Sequence, residues 1–93
     1  MKEEIQKTKV RKFRVRSRGT SCGEIITDDG HYLISSDFVV AYIDTSGQVF
    51  LDPKYWAYSW AVSKHRIAFL GEITAVTMRK IRSNVYFMKD LNL

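Results

Sequence analysis

At Ser63 the spacing of apolar residues changes, and this switch constrains the chain to a sheet followed by a helix. Before it, short runs rich in Val, Ile, Tyr and Phe alternate with clusters of Gly, Asp and Ser, the pattern of strands and reversals. After it, Ile67, Phe69, Leu70, Ile73, Val76 and Ile81 recur at three- and four-residue intervals, with Thr77 on the same stripe. Ser63 is a good N-cap. One amphipathic helix of about five turns is therefore expected over residues 64–82, laying Ile67, Leu70, Ile73 and Val76 on the sheet. Gly71 is its weak point, a place for close packing or a kink.

The strands before the switch are separated by recognisable turns. Residues 1–8 are polar and expected to fray or pair weakly. The first strand runs from Lys9 to about Ser17, and Arg18–Ser21 turns around Gly19. Cys22–Thr27 and His31–Ile34 flank Asp28-Asp29-Gly30, a strong hairpin signal. Ser35-Ser36-Asp37 interrupts. Phe38–Ile43 is the most strand-like run and suits a central place or burial on both faces. Asp44–Gly47 reverses the chain, Gln48–Leu51 pairs back, and Pro53 ends the ladder. Tyr55–Val62 reads as a last strand or an extended crossover, and Val85–Met88 as a short terminal strand or an apolar tail. The expected class is α+β: a small twisted antiparallel sheet of four to six strands with one long C-terminal helix packed on it.

Ninety-three residues make one domain, with 45% apolar residues and a modest core. The net charge of +5 is unevenly placed. Residues 1–18 carry eight Lys or Arg against two acids, residues 19–63 one against six, and residues 64–93 six against two. If the two basic blocks meet in the fold, one positive face lies beside an acidic one, suited to DNA, RNA or an acidic protein. The single cysteine, Cys22, excludes an internal disulfide and a thiolate metal cluster, and favours a cytoplasmic setting. No apolar run approaches a membrane span, and none follows the N-terminal charges as a signal peptide requires.

The sharpest local pattern is VRKFRVRSR from Val10. Lys12, Arg14, Arg16 and Arg18 stand at every second position, so a strand here places four cations on one face. They would follow successive phosphates of a nucleic acid, with strong salt dependence. Equally, they would protect an edge strand from pairing with other chains. Homodimerisation through that edge is the opposite outcome, also left open. Ser63, Lys64, His65 and Arg66 form a positive first helical turn, where the dipole disfavours cations. An acid must compensate: Asp52 or Glu72 internally, or an outside partner. Arg79, Lys80 and Arg82 suit the far end of the helix.

Catalytic chemistry lacks its parts. His31 and His65 are the only histidines, and neither Cys22, Ser59 nor Ser63 stands in a nucleophile motif. The expectation is a non-enzyme with no catalytic residues, no metal and no cofactor. Trp56, Tyr58 and Trp60 share one face if extended, and are expected mainly in the core; exposed, they would make a protein hot spot or a base-stacking platform.

Three segments carry a resemblance: LISSDFVVAYID (33–44), YWAYSWAVSKHRIAFLGE (55–72) and MRKIRSNVYFMKDLN (78–92). With Tyr58-Ser59, Ser63-Lys64-His65, Phe69-Leu70-Gly71 and Asp90-Leu91-Asn92 in order, the chain resembles a group of small phage and mobile-element proteins whose function is uncharacterised. Two threonines of that pattern are Ala61 and Val62 here, a tyrosine is Ser36, and the charged run in the helix is ITAVTM (73–78). The resemblance implies a phage or mobile-element setting, inside a host cell. The resulting expectation is a small binding protein that inhibits or modulates a host protein machine, such as a defence nuclease, through its positive face. The alternative is non-specific DNA or RNA binding by the basic strand. The residues assigned to partner binding are Lys12, Arg14, Arg16, Arg18, Lys64, Arg66, Arg79 and Arg82.

Overall fold

The hairpins form where the turn residues ask for them. In the computed structural model, which describes residues 9–11 and 22–92, β1 is Lys9–Arg11, β2 Cys22–Thr27, β3 Gly30–Ser35, β4 Phe38–Asp44 and β5 Val49–Leu51. They pair in sequence order as an antiparallel meander. Gly30 has φ +148°, and a Cβ there would run into the Ile43 carbonyl oxygen, so glycine is required at the start of β3. Ser36 and Asp37 take positive φ at the β3–β4 turn, as a two-residue primed hairpin needs. At the next reversal, Asp44 Oδ1 accepts hydrogen bonds from the Ser46 and Gln48 amides. The predicted first strand is described only through Arg11. The predicted fraying of residues 1–8 and the turn at Arg18–Ser21 lie outside the described residues.

A bulge explains why β4 is so apolar. Leu33 pairs with Ala41, but Ile34 pairs with Val39, leaving Val40 as the extra residue. Val40 and Ala41 are both fully buried. With Leu33, Val49, Leu51, Val62 and Tyr86 they form the core, against which Trp56, Phe69, Leu70 and Ile81 pack.

The sequence's single long helix is two. α1 is Trp60–Leu70 and α2 is Thr74–Arg82. Gly71 adopts the left-handed conformation (φ +71°) and closes α1, its N–H donating to the Ile67 carbonyl. Ile73 is extended, becomes the N-cap of α2 and is 62% exposed, so it is not part of a buried stripe. The start differs too. Ser59, not Ser63, is the N-cap: its Oγ accepts from the Val62 amide at 3.1 Å. Tyr55–Val62 is therefore neither strand nor extended crossover but turns leading into a helix. The inward positions of α1 are Val62, His65 and Arg66, followed by Phe69 and Leu70. That is helical spacing, with two polar residues on the buried side.

After α2 the chain makes β6, Phe87–Met88, parallel to β5 at the end of the six-strand row. The predicted α+β class stands, with a largely antiparallel sheet and two helices packed on one face. On the other face the pairings align Ile25, Tyr32, Tyr42, Phe50 and Phe87 in one row across β2 to β6. The rings of Tyr32, Tyr42, Phe50 and Phe87 follow one another at centroid distances of 4.3, 5.7 and 6.1 Å.

The C-terminal tail is sewn to the sheet by one side chain. β5 ends at Leu51, so Val39 on β4, paired with Ile34 of β3, has no strand partner on its β5 side. Asn92 takes that place: Val39 N–H donates to Asn92 Oδ1, and Asn92 Nδ2 donates to the Val39 carbonyl, both at 2.7 Å. Asn92 Nδ2 also donates to buried Asp52 Oδ2. The Asp90 carboxylate accepts from the Asn92 amide and sets the turn.

Candidate functional site

The eight predicted binding residues part company. Lys12, Arg14, Arg16 and Arg18 lie outside the described residues, in the segment that follows β1 directly. Lys64 is half-buried, with its ammonium 4.5 Å from the Trp60 ring centroid. Arg79 and Arg82 are exposed near the end of α2.

Arg66 is on no surface. It is the largest fully buried side chain. Its Nε donates to the Trp56 carbonyl at 2.8 Å, and its terminal nitrogens donate to Thr74 Oγ1 at 2.9 Å and Thr77 Oγ1 at 3.4 Å. The guanidinium also lies over the Trp56 ring. The chain continues outward: Thr77 donates to Glu72 Oε2, while Lys80 and Tyr86 donate to Glu72 Oε1, all at 2.8 Å. Burial pushes the Arg66 guanidinium below its ordinary value, and Glu72 opposes the shift. For Glu72, burial alone would raise the carboxyl, but bonds from Lys80, Thr77 and Tyr86 hold it below the usual range. Glu72 is thus an internal compensating acid, at the break between the helices. Asp52, the other acid suggested by sequence, is bound by Asn92 instead.

The two histidines are structural in their surroundings. His65 is fully buried and shares a 2.6 Å hydrogen bond between Nδ1 and Ser35 Oγ; its Nε2 has no partner. Burial, then Lys64, lowers its pKa. A serine–histidine pair sealed from solvent is out of a substrate's reach. His31 meets Glu24 at 2.5 Å on the helix-side face of the sheet. Burial raises the Cys22 thiol to about 11, so it is little ionised near neutrality. Among the described residues, no group of three or more His, Cys, Asp or Glu could hold a metal, and no helix is long and apolar enough to cross a membrane. A cavity of about 220 Å³ is lined by Asp52, Pro53, Lys54, Tyr55, Asp90 and Asn92, but its deepest carboxylate is the one already held by Asn92.

Among the described residues, two exposed surfaces remain. One is the β6 edge. Val85, Phe87 and Met88 are 52%, 45% and 40% exposed, and Met78 on α2 is also exposed. The Val85 and Tyr86 amides both donate to the Lys80 carbonyl, folding this segment against the end of α2 that carries Arg79 and Arg82. Exposed Lys89 follows, its ammonium near the Phe50 ring. The other surface is an aromatic corner at the start of α1. Trp56 turns inward, whereas Tyr58 and Trp60 do not. The β6 edge was not drawn as a unit from sequence, because Val85–Met88 reads as a terminal strand or tail; the aromatic cluster was, with the core as its main expected place and a hot spot or stacking platform if exposed.

No family model, no curated protein and no solved structure matches the chain.

Proposed function

We propose that this chain is a small binding protein that docks on an acidic surface of another protein through the β6 edge and the end of α2. In the phage or mobile-element setting suggested by the sequence resemblance, that partner is a host machine which the protein inhibits or modulates. One observation carries the reading: Val85, Phe87 and Met88 stand exposed on either side of buried Tyr86, beside Arg79, Arg82 and Lys89. The helix dipole accounts for cations at this end. It does not account for a contiguous apolar edge left in water, which is the usual mark of an interaction surface. Apolar anchors flanked by arginines are the composition of protein interfaces, and the cations would steer an acidic partner.

The test is capture from host lysate after nuclease treatment, followed by titration of the purified captured protein. A stoichiometric complex is expected. Phe87→Ala should weaken it about tenfold or more, and Arg79→Glu with Arg82→Glu should slow association. Capture abolished by nuclease, or affinity indifferent to all three substitutions, would overturn the proposal. Nuclease-sensitive capture lost on Arg14→Glu would instead favour nucleic-acid binding by the basic segment.

A further inference from the structure

We infer that the aromatic corner at the start of α1 binds single-stranded nucleic acid, with bases stacked on Trp60 and Tyr58 and the backbone held by Lys64 and Lys54. This site is separate from the β6 edge and does not depend on it.

Trp60 is 73% exposed and Tyr58 55% exposed, the first and third most exposed large hydrophobic residues among those described. Both are held in place. Ser59 between them is the helix cap, which fixes Trp60 as the first helical residue. Tyr58 meets Phe38 edge-on at 5.4 Å and Tyr55 at 5.1 Å, and those two rings stack at 3.9 Å. Rigid rings offered to solvent lose little entropy when a base stacks on them.

The charges at the corner are placed for phosphate. Lys64 lies one turn along α1 with its ammonium over one face of the Trp60 ring, which leaves the opposite face to a base, and Lys54 lies over the Tyr55 ring. The first turn of α1 contains no acidic residue. Among the described residues, Asp52 is buried and bound to Asn92, while Asp37 on the β3–β4 turn and Asp90, which lines the cavity beside Lys54 and Tyr55, are exposed. Aromatic faces beside ammonium groups are the arrangement that single-strand binders use: every base has a face to stack, and the cations follow the backbone. A duplex hides its base faces and cannot use Trp60 in this way. A protein hot spot would instead set its aromatic at the centre of an apolar patch, whereas cations flank this one.

The experiment uses the full chain with a Trp56→Phe background, so that Trp60 is the sole tryptophan. Short oligo(dT) is titrated while tryptophan emission is followed, with a duplex of equal length as comparison. Quenching is expected with the single strand and much weaker binding with the duplex. Trp60→Ala should reduce affinity for a labelled oligo(dT) about fivefold or more. Lys64→Ala should lower the slope of log affinity against log salt by about one. Because Trp60 is exposed, its replacement leaves the fold intact, which circular dichroism checks. No binding at about 50 mM salt, equal binding of duplex, or affinity unchanged by Trp60→Ala would each overturn the inference. Binding that survives Trp60→Ala but is lost on Arg14→Glu would place the contact in the basic N-terminal segment instead.

Discussion

Replacing Arg66 tests the claim that this cation holds the helices together rather than meeting a partner. Arg66→Ala removes three hydrogen bonds, to Trp56, Thr74 and Thr77, and the contact with the Trp56 ring. Two of the bonds are short. Charge-assisted bonds contribute about 1.5–3 kcal/mol each, and the cation–π contact about 1 kcal/mol. Breaking a buried ionic network from one side costs roughly 3–5 kcal/mol, so about 4 kcal/mol is the expected loss. A chain of this length has a total stability of roughly 5–14 kcal/mol. The variant should therefore unfold at much lower urea, with an unchanged m-value, as read by tryptophan fluorescence. Arg66→Met keeps the aliphatic volume and should lose roughly half as much. In a double-mutant cycle with Glu72→Gln, the coupling should exceed about 0.5 kcal/mol, because Thr77 bridges the two. Exposed Arg79→Ala should stay within about 0.5 kcal/mol of the parent. A loss below about 1 kcal/mol for Arg66→Ala, or no coupling to Glu72, would refute this account.

Three other outcomes follow from separate features. The folded-state pKa of His65 is lowered, so the unfolded chain takes up the proton first; stability should be level above about pH 6.5 and fall as pH drops below it. Urea midpoints measured at neutral and mildly acidic pH should show that slope, and His65→Asn should reduce it. Asn92→Ala strips both backbone groups of Val39 of their partner and should cost about 2–3 kcal/mol in a thermal melt; Asn92→Asp, which keeps only an acceptor, should also destabilise. Cys22, with its thiol raised to about 11, should react with a thiol reagent in the native state far more slowly than in urea.

The strands were legible because their turns carry chemistry of their own. Asp29-Gly30, Ser36-Asp37 and Asp44–Gly47 each punctuate a β-branched run, and each is a reversal in the fold. The helical region was legible in kind but not in division. Ile73 fits the apolar period, yet Gly71 in the left-handed conformation breaks it, placing Glu72 where Thr77, Lys80 and Tyr86 converge. Hydropathy could not find the buried side of α1, since His65 and Arg66 occupy it while Trp60 faces water. A buried arginine needs partners scattered from Trp56 to Thr77, and that information exists only once the chain is folded. The same holds for Asn92, whose partner is Val39. Its place in the Asp90-Leu91-Asn92 pattern marked it, but nothing local stated its role. Of the candidate sites, sequence supplied the charges at Arg79 and Arg82 and the aromatic cluster, but not which rings would be left outside.

The bond between Asn92 and Val39 also has a consequence for how the protein is made. The two residues are fifty-three positions apart, and β6 also follows both helices in the chain. During synthesis the meander from β2 to β5 emerges early, with contacts local enough to form quickly. Its Val39 edge then waits, open, while both helices and β6 are translated. A ribosome that stalls before Asn92 holds a sheet with an unprotected edge, the kind of surface that recruits chaperones or pairs with a neighbouring nascent chain. Completion of the sheet is thus coupled to synthesis of that asparagine, and a product truncated before it keeps the Val39 edge open.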